Sequence, residues 1–275
     1  MLFEVPRIHW VNPNNTEDFI SGYFLHKKCK WVICPRYQSK FDSNNIQEND
    51  FVFLNTDLIY NFVKYLNENH PKNKFIIFTQ NSDLDFTKSM FELVDNYTNK
   101  IFAINCSFSH KKVKKIPLGF NDQSTDFLSK ENFETTKKQN LIYVNFKLHH
   151  HQERYPCMDY FKKQNWCSVE EPVLSNNVFY ERLKTFKYCV CPRGTGIDTH
   201  RFYESLMFGT IPIVKKSPLD DLYEKFPAII VNDWSEINVE SLMEDYEKNI
   251  EKYYQWKSNN KDWFTTNYWI KSYND

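Results

Sequence analysis

Short, uninterrupted apolar runs, each followed by a longer segment of mixed polarity, constrain this chain's architecture more than any other feature. In the first half they span residues 31–34, 51–54, 75–79 and 101–105. Continuous rather than alternating apolar character suits strands covered on both faces, as in parallel sheets flanked by helices. Segments 57–67 and 85–97 lie between them with helical spacing. A second set of runs covers 141–146, 188–191, 211–214 and 228–231. Helices are expected over 155–164, 177–185, 199–208, 218–226 and 239–254. This alternation predicts an α/β fold.

A Ser-, Thr-, Lys- and Asn-rich stretch over 121–140 separates the two sets and reads as a linker. The chain is therefore expected to form two Rossmann-like domains with a cleft between them, over 1–125 and 126–255. A closing segment, 256–275, should pack its aromatic residues back toward the first domain. One continuous doubly wound sheet is the alternative.

The most informative segment begins at the apolar run Tyr188-Cys189-Val190-Cys191, which Pro192 ends because it has no backbone donor for a ladder. Cys189 and Cys191 then share one face and read as small core residues. Arg193-Gly194-Thr195-Gly196 follows, with two glycines that permit positive φ or close backbone approach to a ligand. Asp198 or Thr199 can cap a helix that Gly209 ends. A strand, a glycine turn and a helix N-terminus together form an anion site.

Arg201 falls in the first turn of that helix, where a cation opposes the dipole unless an anion lies nearby. It is the leading candidate for a diphosphate, with Arg193 second. Glu204, three residues on, shares nearly the same helical face and can accept hydrogen bonds from ribose hydroxyls. An Arg201–Glu204 ion pair on a solvated face explains the same spacing, and spacing alone does not choose. Asn145 and Arg154, with Lys147, lie where the loop after 141–146 could close over the same anion.

From residue 141 onward the chain resembles the exostosin-like glycosyltransferases, a family 47-like group. The resemblance rests on Cys191-Pro192-Arg193-Gly194, Arg201, Glu204 and Gly209-Thr210-Ile211-Pro212, in that order. Tyr143-Val144-Asn145-Phe146, Glu153-Arg154 and Val231-Asn232-Asp233-Trp234 add to it. Thr79-Gln80-Asn81-Ser82-Asp83 and Ile116-Pro117-Leu118-Gly119 are fainter echoes in the first half. The chain also resembles the compact xylosyltransferases of large algal DNA viruses. These resemblances imply a GT-B-like fold, a UDP-sugar donor in the second half and a glycan acceptor held by the first. They imply a hexosyl- or pentosyltransferase, with xylose one candidate sugar.

An inverting transfer needs a base for the acceptor hydroxyl, and acids at the carboxyl ends of first-half strands are the candidates. Asp83 leads and Asp57 follows. Asp83-Leu84-Asp85 also matches a metal-binding Asp-x-Asp, but it falls in the acceptor half, and arginines can replace a divalent ion. No metal site is expected. His149-His150-His151 is no exception, because adjacent side chains diverge. A non-catalytic nucleotide- or glycan-binding module of the same fold is the competing reading. A dehydrogenase would need a Gly-x-Gly-x-x-Gly turn after an early strand, which the chain lacks.

Lys plus Arg total 35 and Asp plus Glu total 35, so no overall field favours nucleic acid as a partner. Neither a secretory leader nor a membrane span is evident. Seven scattered cysteines suit reduced thiols. A cytoplasmic setting is expected, the host's if the protein is viral. Oligomeric state is not readable.

Overall fold

The computed structural model describes residues 2–8, 12–15, 17–131, 133, 137–172 and 175–271. Two five-stranded sheets, every neighbouring pair parallel, organise the chain. The fold is α/β with two Rossmann-like units.

The first sheet contains β1 (Trp31–Ile33), β2 (Phe51–Asn55), β3 (Phe75–Gln80), β4 (Thr98–Ala103) and β5 (Val113–Lys115), in that spatial order. Alternate side chains serve its two faces. Ile33, Val52, Leu54, Phe75, Ile77 and Ile101 pack with helices Ile59–Asn69 and Lys88–Val94. Val32, Phe53, Ile76, Phe78 and Phe102 face the other way and join a cluster with Phe19, Phe24 and Trp263. All of these side chains are buried, which is why the runs read as continuous rather than alternating.

The second sheet contains β6 (Asn140–Val144), β7 (Cys167–Val169), β8 (Phe186–Val190), β9 (Ile211–Lys215) and β10 (Ile229–Val231). Its order is β10-β9-β8-β6-β7. The chain thus leaves β6 for β7 on one side and returns to β8 on the other. One face packs Ile142, Val144, Val190 and Ile213 against Phe161, Trp234 and Tyr246. The other presents Tyr143, Cys189 and Cys191 to Tyr180, Tyr203 and Leu206, inside the same apolar cluster that covers the first sheet. Two sheets, not one continuous sheet, therefore share a core. Cys189 and Cys191 are buried and unbridged, as the alternation implies.

The expected linker over 121–140 is not a free tether. Residues 132 and 134–136 lie outside the described residues. Within the rest, Thr125–Leu128 is helical, and the Asp126 carboxylate accepts from the amides of Asn14 and Asn15 at 2.7 and 2.8 Å. Lys138 is buried, its ammonium donating to the carbonyls of Leu183 and Phe208 and to the Thr210 hydroxyl. Polar composition conceals these roles because the partners are distant in sequence.

Near the end of the chain, helices Tyr246–Asn259 and Thr266–Lys271 are joined by a turn that reaches the first unit. The Thr266 amide donates to the Asp18 carbonyl at 3.0 Å, and the Ile20 amide donates to the Phe264 carbonyl at 2.7 Å. The Trp263 ring meets Phe120 of the first half and Phe226 of the second. Residues 272–275 of the expected closing segment lie outside the described residues. No helix of the described residues is long and apolar enough to cross a membrane.

Candidate active site

The reversal of strand order around β6 and β8 opens a crevice at their carboxyl ends, where ligands of open parallel sheets bind. Asn145 follows β6, and Cys191 to Gly196 follow β8. A cavity of about 640 Å³ occupies this crevice and extends to the carboxyl ends of β2 and β3 in the first sheet. Of the residues named from the sequence, Asp57, Asp83, Asn145, Arg154, Gly194, Thr195, Gly196, Arg201 and Glu204 line it.

Helix His200–Met207 starts at the far end of the turn. Thr199 occupies the cap position without capping through its side chain, while Asp198 Oδ1 accepts from the Thr199 amide at 2.8 Å. Gly209, at φ 68°, ends the helix. The amides of Gly209 and Thr210 bond back to the carbonyls of Leu206 and Ser205 at 3.1 and 2.9 Å, a Schellman closure that a left-handed residue permits.

One of the turn's two glycines is required, and for contact within the protein rather than for a positive φ. Neither Gly194 nor Gly196 has a positive φ. A Cβ on Gly196 would lie 2.6 Å from Asn105 Nδ2, so close approach to the first unit demands the glycine. A Cβ on Gly194 would meet Arg154 Nη2 at 3.4 Å, an ordinary contact.

Arg154 is buried and braces the turn. Its Nε donates to the Arg193 carbonyl at 2.6 Å, Nη1 to Lys147 at 2.8 Å and Nη2 to Pro192 at 3.3 Å. Burial first, then the charge of Arg201, pushes its pKa down to about 10. Among the described residues no carboxylate pairs with it. Arg201 also lacks one, and its Nε and Nη1 are buried without a hydrogen-bond partner. Its guanidinium carbon sits 4.7 Å from the Phe179 ring centre. Two guanidinium groups thus line one cavity, neither in an ion pair among the described residues. Desolvated cations without counter-ions are costly unless a ligand supplies the charge.

Glu204 is not the solvated partner of Arg201 that i, i+3 spacing allows. It is 8% exposed, and its Oε1 accepts from the Tyr180 hydroxyl at 2.8 Å. Asn145 is buried, with Nδ2 donating to the Glu171 carbonyl at 2.7 Å.

Arg193 departs from the expected position. Its side chain lies outside the main cavity, lining a smaller neighbour with Glu153 and Lys215. There it approaches Asp85 Oδ1 at 3.8 Å and donates to the Thr195 carbonyl at 3.2 Å. The cause is steric direction: the turn aims this residue's carbonyl at Arg154 and its side chain away. Asp85, second acid of the Asp-x-Asp, is consequently occupied by Arg193.

Across the cavity Asp83 is exposed and carries no hydrogen bond among the described residues, whereas Asp57 Oδ1 accepts from the Ser82 hydroxyl at 2.6 Å. His150 lines the cavity beside them. Burial first, then nearby cations led by Arg154, lowers its pKa, while Asp83 acts in the opposite direction. No three His, Cys, Asp or Glu side chains converge in a metal-sized cluster among the described residues.

Sequence reasoning misses the residues that join the two units at the cavity floor. The buried Asp198 carboxylate accepts from the Leu118 amide at 2.9 Å and from the hydroxyls of Tyr203 and Tyr223 at 2.6 and 3.0 Å. Burial raises its pKa despite these donors. Asn105 Oδ1 accepts from the Asp198 amide, and its Nδ2 donates to the Ser82 carbonyl at 3.2 Å. His200 Nδ1 lies 2.7 Å from the carbonyl of Gly119. Gly119 is held at φ 71° with the Ile20 carbonyl against its Cα, a place for glycine alone. The Ile116-Pro117-Leu118-Gly119 motif was the one local signal for this junction.

No family model and no curated protein sequence matches the chain. Among solved structures it is similar to the apo form of the lipopolysaccharide outer core galactosyltransferase WaaB, with a TM-score of 0.46 at 10% identity over 82% of this chain and 73% of that one. It is similar to a UDP-forming α,α-trehalose-phosphate synthase from Burkholderia vietnamiensis, at 0.44 and 10% over 83% and 71%. An α1,3-fucosyltransferase follows at 0.38 and 14% over 80% and 71%. At these values the likeness concerns fold alone, and the assignment of two parallel-sheet units rests on the strand order and register described above.

Proposed function

We propose that this chain is a nucleotide-sugar-dependent glycosyltransferase that binds its donor diphosphate against Arg201 and Arg154. In this reading residues 1–125 hold the acceptor, 126–255 hold the donor and 256–275 brace the first unit. The supporting observation is the Arg201 guanidinium, with two buried nitrogens that have no hydrogen-bond partner among the described residues, beside Arg154, whose donors meet only neutral carbonyls. A diphosphate offers the negative charge that both lack and the acceptor oxygens that Arg201 lacks. Glu204, with Oε1 held by Tyr180, keeps Oε2 for a ribose hydroxyl. Asn145, Gly194, Thr195 and Gly196 complete the wall, and Arg193 stands behind the turn.

Transfer then follows from the two walls. An acceptor hydroxyl attacks the anomeric carbon, its proton passes to a carboxylate, and the bond to the diphosphate oxygen breaks as the new glycosidic bond forms. Asp83 is the stronger base candidate because both its oxygens are free, and Asp57 is second. The arginines stabilise the departing diphosphate, so divalent metal is not required. The exostosin-like motifs favour a UDP-sugar donor and a glycan acceptor, with xylose a candidate sugar and a hexose the alternative.

Calorimetry with UDP in the presence of a chelator tests the reading. Binding is expected for the unmodified protein, with at least about a tenfold loss in Arg201→Ala, since charge-assisted hydrogen bonds contribute roughly 1.5–3 kcal/mol. Equal affinity in Arg201→Ala would remove the site assignment.

A further inference from the structure

Arg201 and Glu204 lie one helical turn apart, close enough to pair, yet no contact within ion-pair distance joins them. What separates them comes from another helix, Asn176–Thr185. Its Phe179 ring lies over the Arg201 guanidinium at 4.7 Å, and the hydroxyl of the adjacent Tyr180 donates to Glu204 Oε1 at 2.8 Å. Tyr180 is fully buried, its ring 5.1 Å from Phe127 and stacked 5.0 Å from Phe208. It has no room to swing away. The start of the helix is tied to the first unit through Asn176 Nδ2, which donates to the Ser124 hydroxyl at 2.9 Å.

We infer that Tyr180 is a positioning residue that prevents Glu204 from neutralising Arg201, so that the guanidinium stays available to a diphosphate. The inference rests on the donor-site reading above. A carboxylate without the tyrosine would turn to the nearest unpaired cation, which is Arg201 on the same helical face. Phe179 holds that cation through its ring face, an attraction that leaves the N–H donors unspent. Two neighbouring residues on one helix therefore each hold one member of a potential ion pair.

The test uses inorganic pyrophosphate and UDP as separate calorimetric probes. Pyrophosphate has no ribose, so it reports on the arginines alone. The unmodified protein binds both. Tyr180→Phe frees Glu204 to capture Arg201 and lowers pyrophosphate affinity by about tenfold or more, the loss of one charge-assisted contact. Tyr180→Phe with Glu204→Gln, which keeps the shape but removes the charge, restores pyrophosphate binding to near the original value. UDP affinity of the double variant stays reduced, because the ribose contact is lost. A merely structural tyrosine would not be rescued by neutralising Glu204. Unchanged pyrophosphate binding in Tyr180→Phe, or a weak single variant that the second substitution fails to rescue, overturns the inference while leaving the donor site standing. An unmodified protein that binds neither probe removes the donor-site reading itself, and the inference with it.

Discussion

The Asn105 side chain, from the first unit, accepts the Asp198 amide of the second at 2.8 Å, across the floor of the cavity. Its other end donates to the carbonyl of Ser82, next to Asp83. One buried amide thereby fixes the candidate base relative to the glycine turn.

Gly196→Ala should disturb this junction where Gly194→Ala does not. The added methyl at 196 falls 2.6 Å from an Asn105 nitrogen pinned at both ends, whereas at 194 it finds ordinary space. Overpacking of that kind costs about 1–3 kcal/mol. Urea unfolding of both variants checks it, and equal midpoints would refute the contact.

Arg154→Met should loosen the turn. Three carbonyls, that of Pro192 in a buried bond and those of Lys147 and Arg193 in partly buried ones, would lose their shared donor. A buried group left unsatisfied costs on the order of 1–3 kcal/mol, so a loss of about that size is expected in unfolding experiments, chiefly from Pro192. A variant as stable as its parent would show that water replaces the guanidinium.

Asp83→Asn should abolish turnover while UDP still binds. General-base catalysis contributes roughly 10²–10⁴ in rate. Asp57→Asn serves as the comparison, because its Oδ1 is already engaged by Ser82. Full activity in Asp83→Asn would move the base to Asp57 or to a residue not named here.

Stability should fall as the solution is acidified from pH 6.5 toward 4. His26 stacks on Tyr37 at 3.8 Å, and its Nδ1 is buried without a partner. Burial, the leading cause, lowers its pKa from 6.5 to about 4. The unfolded chain binds this proton first, so the His26 contribution is complete above pH 6.5 and lost through the window below it. Its size is at most about 3 kcal/mol. His26→Phe should flatten thermal melts across that range, and an unchanged slope would place the titration elsewhere.

How much of this is legible in the sequence depends on whether the cause is local. Runs such as 51–54 and 75–79 mark β2 and β3 because burial on both faces demands unbroken apolar character. Gly209 marks a helix end because its backbone conformation is a property of one residue. Val113–Lys115 and Cys167–Val169 escape notice, since every residue in them is only half-buried and neither carries an apolar run, unlike the edge strand Trp31–Ile33, which is buried throughout. Arg201 is legible from its conflict with the helix dipole. The direction of Arg193, the tie between Tyr180 and Glu204 and the role of Asp198 are not, because each depends on a partner from a distant segment.

The hydrogen bonds joining Thr266 and Phe264 to Asp18 and Ile20 carry a consequence for biosynthesis. One face of the first sheet acquires its Trp263 cover only after both five-stranded sheets have been translated. Until then Phe19 awaits Thr266, made 247 residues later, whose hydroxyl donates to its carbonyl, and Phe120 awaits the Trp263 ring. The first unit is thus made well before the segment that seals it, an interval in which exposed apolar surface invites chaperones.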